Sequence, residues 1–360
     1  MSESRAWMIY GANGYTGELC AREAVRRGHT PVLAGRNVQA ITTLGEELNL
    51  ETRVAGLDDA SRLEHAIGDM AAVLHCAGPF SATCKPMLDV CAKTGTHYLD
   101  ITGEVDVFEY SQANDTRWKE AGMVSMPGVG CDVVPTDCLA AMLKQAMPDA
   151  THLTLALVSE PMRISPGTAK TVVEGLPNGA LVRRDGELVS IPSGSKTRIV
   201  PFDHGDQLGV CIPWGDISTA YWSTQIPNIE VFLGSTEKEV GQMRMMGKFG
   251  WLLGLGVVQT FLKGQVEKRV PGATEAERAA SVSHFWGEVS NAAGRRTSMT
   301  LTGPDTYDLT VDGALNATLR IVAEDIAPGA HTPSTALGAE FVLSLDGFKL
   351  GETITEEVSA

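Results

Sequence analysis

Trp7-Met8-Ile9-Tyr10, followed at once by Gly11-Ala12-Asn13-Gly14-Tyr15-Thr16-Gly17, decides the fold of this chain. A short apolar run that ends in a glycine turn and opens a helix is how a backbone comes close to a pyrophosphate. The first glycine makes the tight turn and the second removes a side chain where phosphates approach. The third lets helix and strand pack, and the helix N-terminus offers N–H groups to the anion. The context is complete: a helical pattern covers Gly17 to Arg27, and a second strand pattern covers Thr30 to Ala34. A dinucleotide site is expected, with Gly11, Asn13, Gly14, Tyr15, Thr16 and Gly17 around the diphosphate.

The residues after the second strand bear on which dinucleotide. A site for NAD places an acid there for the ribose 2′-hydroxyl, and a site for NADP places a cation. Here the chain reads Gly35-Arg36-Asn37, with no carboxylate before Glu46. The Arg36 guanidinium can grip a 2′-phosphate by paired hydrogen bonds and stack on adenine. NADP(H) is therefore expected in preference to NAD(H).

Alternating strand and helix patterns continue to about Ala140. Thr52 to Ala55 leads into the turn Leu57-Asp58-Asp59, which offers Asp58 to the cofactor and Asp59 or Ser61 to a helix cap. Ala71 to Cys76 is a fourth strand, Thr96 to Asp100 a fifth, and Met123 to Met126 a sixth, with one helix expected from Val105 to Ala121. Strands separated by helices mean a parallel, doubly wound sheet, and ligands bind outside the carboxyl ends of its strands. The turn Cys76-Ala77-Gly78-Pro79-Phe80 is expected beside the nicotinamide ribose, where Pro79 and Phe80 either wall the ring or form a rigid apolar turn.

Beyond Asp149 the pattern changes to alternating or β-branched runs: Thr151 to Ser159, Thr197 to Phe202, Ile229 to Leu233, Val282 to Ser290 and Thr297 to Thr302. The fold class is α/β: a Rossmann-type doubly wound parallel sheet with a second α+β domain on a mostly antiparallel sheet. The expected boundaries are 1–140, 141–328, and a C-terminal helix and tail, 329–360, returning to the Rossmann domain. The helix is read over Thr332 to Leu343, with Pro333 in its first turn.

Composition sets further bounds. A formal charge of −15 disfavours broad nucleic-acid binding, and seven cysteines without a CxxC pair read as reduced cytoplasmic thiols with no metal site. No signal-peptide pattern opens the sequence. Phe249 to Leu262 is apolar but too short to span a bilayer; it reads as a buried helix or as a greasy patch for a lipid-like substrate, a membrane surface or a partner.

Taken together, GANGYTG (Gly11 to Gly17), Ala34-Gly35-Arg36, Cys76 to Phe80, Tyr98-Leu99-Asp100 with Thr102-Gly103-Glu104, and Gly130 to Asp137 resemble the saccharopine dehydrogenase-like oxidoreductases. Pro213 to Tyr221 and Thr332 to Gly338 are similar to that family's bacterial members, trans-acting enoyl reductases included. The resemblance implies an NAD(P)-binding Rossmann domain, a second α+β domain that usually dimerises, and substrates that are amino-acid-derived imines in some members and lipid-like enoyl chains in others. No arginine set for clamping an amino acid stands out.

Hydride transfer needs a carbon held against the nicotinamide and a proton source. Glu104 and Asp132 end neighbouring strands and are candidates, with helix capping as the competing role for Asp132. His204, Asp216 and Tyr221 are candidates outside the nucleotide domain, cross-strand packing being the alternative for Tyr221. No tyrosine has a lysine four positions on, so the acid–base pair of short-chain dehydrogenases is absent. The leading reading is a cytoplasmic, homodimeric NADP(H)-dependent oxidoreductase reducing a C=N or C=C bond of a small molecule held between its domains. The alternative is a nucleotide-sensing or scaffold protein that keeps the fold without turnover, docking through the Trp251 region.

Overall fold

The computed structural model describes residues 6–161, 167, 169, 173, 175, 179–250, 255–269 and 272–357. Two compact units emerge, each built from two stretches of chain: residues 1–134 with 307–338, and residues 135–306 with 339–360.

In the first unit the strands are β1 (Trp7–Tyr10), β2 (Val32–Gly35), β3 (Thr52–Val54), β4 (Ala72–His75), β5 (His97–Asp100), β6 (Val124–Met126) and β15 (Gly329–Ala330). They form one sheet in the order β15-β6-β5-β4-β1-β2-β3, every pair parallel. β1, β2 and β4 are buried along their whole length, as apolar runs covered on both faces must be. The order reverses direction between β1 and β4, and that switch point is where such sheets open a crevice at their carboxyl edge.

Crossovers α1 (Tyr15–Arg26), α2 (Val38–Leu48), α3 (Ala60–Ile67) and α4 (Phe80–Thr94) follow the first four strands. Asp59 caps α3, its side chain accepting from the Arg62 N–H at 3.0 Å. The helix expected over Val105 to Ala121 is two, α5 (Val105–Ala113) and α6 (Asp115–Glu120). Asn114 breaks it: its side-chain amide donates to the Tyr110 carbonyl, the local competition that makes asparagine a poor helix interior.

The second unit opens in α7 (Val134–Ala146) and carries β7 (His152–Glu160), β8 (Ala180–Arg184), β9 (Glu187–Ile191), β10 (Thr197–Phe202), β11 (Gly205–Cys211) and β12 (Asn228–Gly234). β13 (Val282–Ser290), β14 (Arg295–Gly303), β16 (Lys349–Leu350) and β17 (Ile354–Glu357) complete a mixed ten-stranded sheet. β7 and β12 run parallel, and the other pairs are antiparallel. The helices among the described residues are α8 (Asp216–Thr224), α9 (Glu237–Gly247), α10 (Gly256–Arg269) and α11 (Glu275–Ala279).

Three expectations change. The segment that rejoins the nucleotide unit is 307–338, and residues 339–360 stay with the second sheet, where β16 and β17 pair with β14. The returning segment carries α12 (Thr306–Ala323), packed on α1 through the Arg27–Asp312 ion pair at 2.7 Å, then β15 and α13 (Pro333–Leu337). α13 stops at Leu337 rather than Leu343, because the chain extends at Gly338 and resumes as a 3-10 turn over Phe341–Ser344. Finally, the apolar 249–262 stretch is not a buried helix in its described part: Phe249 is 52% exposed and Phe261, on α10, 63%. Trp251 lies outside the described residues. Among those residues no helix is long and apolar enough to cross a membrane.

Candidate functional site

The carboxyl edge of the parallel sheet gathers the cofactor candidates of the first unit. Gly11 turns with φ +80°, and its N–H donates to the Ala34 carbonyl at 2.7 Å, closing the turn over β2. A side chain at Gly11 would lie 2.8 Å from Ala77, so the turns after β1 and β4 touch at the switch point. One at Gly17 would penetrate the Gly11 carbonyl. Gly14 caps α1 with no side-chain acceptor. A backbone cradle free of Cβ atoms, at a helix terminus without a side-chain cap, fits a diphosphate. Asn13 turns its amide oxygen toward Gly35, and Tyr15 meets Tyr307 edge-on at 5.0 Å. Thr16 lies in the first turn of α1.

Arg36 follows β2, is exposed, and makes no hydrogen bond or ion pair among the described residues. Asp58 folds its carboxylate over Gly56. Between them lies Tyr10, whose hydroxyl donates to the Ala55 carbonyl at 2.9 Å. Burial pushes the Tyr10 phenol up to about 12, Arg36 pulling it down and Asp58 pushing it up. An unpaired guanidinium at this strand end fits a 2′-phosphate.

After β4, the Cys76 N–H donates to the Tyr10 carbonyl, and a cis peptide joins Gly78 to Pro79. α4 begins at Phe80 without a side-chain cap from Pro79; Glu104 supplies the acceptors instead. Its two carboxylate oxygens accept from the Phe80 N–H at 2.9 Å and the Ser81 N–H at 2.6 Å. The sequence reading missed this, since an acid 24 residues downstream carries no local capping signal. It also passed over His75 and Asp100. His75 is fully buried, donates or accepts at Thr83, and is kept neutral by burial, which lowers it to about 3.

Asp100 binds the next two turns together. It accepts from the Tyr98 hydroxyl at 2.6 Å, the Thr102 N–H at 3.0 Å and the Gly128 N–H at 2.9 Å. Asp132 is half-buried after β6, facing Gly103 so closely that any Cβ there would lie 2.6 Å from its carboxylate. It is not the residue next to its helix, since α7 starts at Val134. The Cys131 thiol donates to it at 3.3 Å. Burial raises both aspartates, hydrogen bonds oppose it and the Glu104 charge adds to the rise, leaving each at about 6.

Three candidates belong to the second unit. Tyr221 sits on α8 and so has no cross-strand packing; its ring lies 4.2 Å under the Arg183 guanidinium and edge-on to Trp222 at 5.4 Å. Asp216, fully buried on the same helix, accepts from Thr136 at 2.7 Å and Thr219 at 3.3 Å. His204 lies in the turn between β10 and β11, beside Asp203 and His284.

Comparison with known proteins follows these lines. Residues 7–126 match the family described as the saccharopine dehydrogenase NADP binding domain. A probable mitochondrial saccharopine dehydrogenase-like oxidoreductase of Arabidopsis thaliana is 31% identical over 147 residues, 36% of this chain and 32% of that protein. A trans-acting enoyl reductase of Mycobacterium tuberculosis is 32% identical over 146 residues, 36% of this chain and 33% of its own. The match thus spans about a third of the length of these relatives. Apo saccharopine dehydrogenase (L-Glu forming) from Saccharomyces cerevisiae superposes over 97% of this chain and 100% of its own with TM-score 0.66 at 11% identity, a likeness of fold.

Proposed function

We propose that this chain, whose residues 7–126 match the saccharopine dehydrogenase NADP binding domain, is an NADP(H)-dependent oxidoreductase of that type acting on a C=N or C=C bond of a small molecule. The observation that carries the reading is the pairing of a side-chain-free cradle at Gly11, Gly14 and Gly17 with an unpaired Arg36 at the end of β2. Bound there, the nicotinamide nucleotide supplies the hydride. The chain's own residues do the rest. Main-chain N–H groups at the start of α1 hold the diphosphate, and Arg36 binds the 2′-phosphate. Ala77, Gly78, Pro79 and Phe80, fixed by Glu104, form the wall at the switch point.

Glu104 is a positioning residue in this reading, because both its oxygens are engaged by α4. Asp132 is the proton donor of the first unit. A carboxyl raised to about 6 keeps its proton closer to neutrality than an ordinary aspartate, the range in which an acid catalyst works best. Tyr221 of the second unit is the other candidate, its ring held by Arg183 and Trp222. The second unit is read as the part that binds substrate and dimerises, in a cytoplasmic protein. The substrate is proposed to be amino-acid-derived or lipid-like, the relatives being a saccharopine dehydrogenase-like oxidoreductase and an enoyl reductase. The test is NADPH consumption over panels of imines, enones and simple ketones. Turnover in one of the first two classes, lost in Asp132→Asn or Tyr221→Phe, supports the reading. Tight coenzyme binding without turnover on any class favours the nucleotide-sensing alternative.

A further inference from the structure

In the second unit the sheet curls so that β10 lies against β13. Arg198 reaches Glu288 at 3.4 Å and lies 4.7 Å over the Trp286 ring, while Phe202, Val200 and Trp286 share one buried cluster. At the tip of the β10–β11 hairpin this contact ends in three ligating side chains. The Nδ1 atoms of His284 and His204 both approach one Asp203 oxygen, Oδ1, at 2.6 and 3.5 Å. The two imidazoles are 4.2 Å apart between centroids, and one ligand atom from each of the three residues lies within 4.8 Å of the others. The Thr302 hydroxyl donates to the remaining oxygen, Oδ2, at 2.7 Å and fixes the carboxylate's orientation.

We propose that Asp203, His204 and His284 form a binding site for a borderline divalent transition-metal ion of the Zn²⁺ type, which clips the hairpin tip to β13. Two imidazole nitrogens and one carboxylate are the donor set such ions take, with solvent completing the tetrahedron. Thr302 is the outer group that orients the acidic ligand. Among the described residues no lysine or arginine pairs with Asp203, so its partners there are the two imidazoles and Thr302. Metal bonds of about 2.0–2.2 Å in a tetrahedron put ligand atoms about 3.3 Å apart, so His284 and Asp203 need to separate by only about 0.7 Å. Only the His284 side chain is well buried, at 12% exposure against 30% for His204, so an ion can enter from the hairpin side.

The experiment is calorimetric titration of untagged, chelator-stripped protein with Zn²⁺, and with Mg²⁺ as the control, followed by thermal melts. One Zn²⁺ per chain, no Mg²⁺ uptake and a Zn²⁺-dependent rise in Tm are expected. Both signals should vanish in His204→Gln, a change at an exposed turn that leaves the fold intact by circular dichroism, and in His284→Gln. Thr302→Val should weaken binding about tenfold. Absence of saturable Zn²⁺ binding to the wild type would overturn the site. So would unchanged stoichiometry and affinity in the His204→Gln, His284→Gln double variant, which would place the ion elsewhere.

Discussion

Two strand-to-helix junctions in the same sheet treat the same physical problem in opposite ways. Both β1–α1 and β4–α4 end a buried parallel strand and expose the unpaired N–H groups of a helix start, and neither cap residue contributes a side-chain acceptor. At β4–α4 the protein supplies its own anion, Glu104, on the Phe80 and Ser81 N–H groups. At β1–α1 the cap residue is Gly14, which brings no side chain of its own to the N–H groups of the helix start. A helix terminus attracts negative charge in either case. The difference supports the proposal that the β4–α4 junction is structural and that the β1–α1 junction takes the anion of a ligand.

Three substitutions press on that contrast. The largest effect is expected at Gly17→Ala, where the new methyl meets the Gly11 carbonyl, a backbone atom with no room to yield. Coenzyme binding should be lost and stability should fall by about 1–3 kcal/mol, measured by fluorescence titration and thermal melts on the same sample. Retained NADPH binding would mean that the cradle is not the site.

Glu104→Ala comes next. It strips the acceptors from two N–H groups and should lower stability by about 1–2 kcal/mol, read from urea denaturation. A large loss of turnover with unchanged stability would instead make Glu104 a catalytic group and dissolve the comparison.

The smallest effect is a slope. Folded Asp132 holds its proton up to about pH 6, whereas an unfolded aspartate loses it near its model value of 3.8. Across that window the folded state binds more protons, so this group's contribution makes stability fall as pH rises. Asp132→Asn should therefore gain stability relative to wild type between pH 4 and pH 7, by about 1 kcal/mol for a carboxyl that is only half-buried. A difference that stays flat across this range would mean that Asp132 is solvated like a surface acid.

Much of the first unit was readable from local pattern. The glycine turn, the alternation of strands and helices and the caps act over a few residues, and all six expected strands of the nucleotide sheet are present. The runs that become β13 and β14 were equally visible, and the loop between them is held by the Asn291 side chain accepting from the Ala293 and Arg295 N–H groups. What escaped was long-range. β15 is two residues long and pairs with β6 from some 200 positions away, and periodicity cannot register so short a strand. Glu104 caps a helix that starts 24 residues earlier, and His284 joins Asp203 across 81 residues. Each of these partners is chosen by packing, after the elements have formed. The cross-strand packing weighed for Tyr221 was wrong because its segment is a helix whose Asp216, Ser218 and Thr219 are buried.

The most direct test of the central claim is calorimetry of NADPH and NADH on wild-type protein and on Arg36→Ala. The account predicts one NADPH per chain, bound more tightly than NADH, and a loss of about 1.5–3 kcal/mol for NADPH alone when the guanidinium is removed. No heat from either coenzyme, or equal weakening of both in the variant, would contradict it.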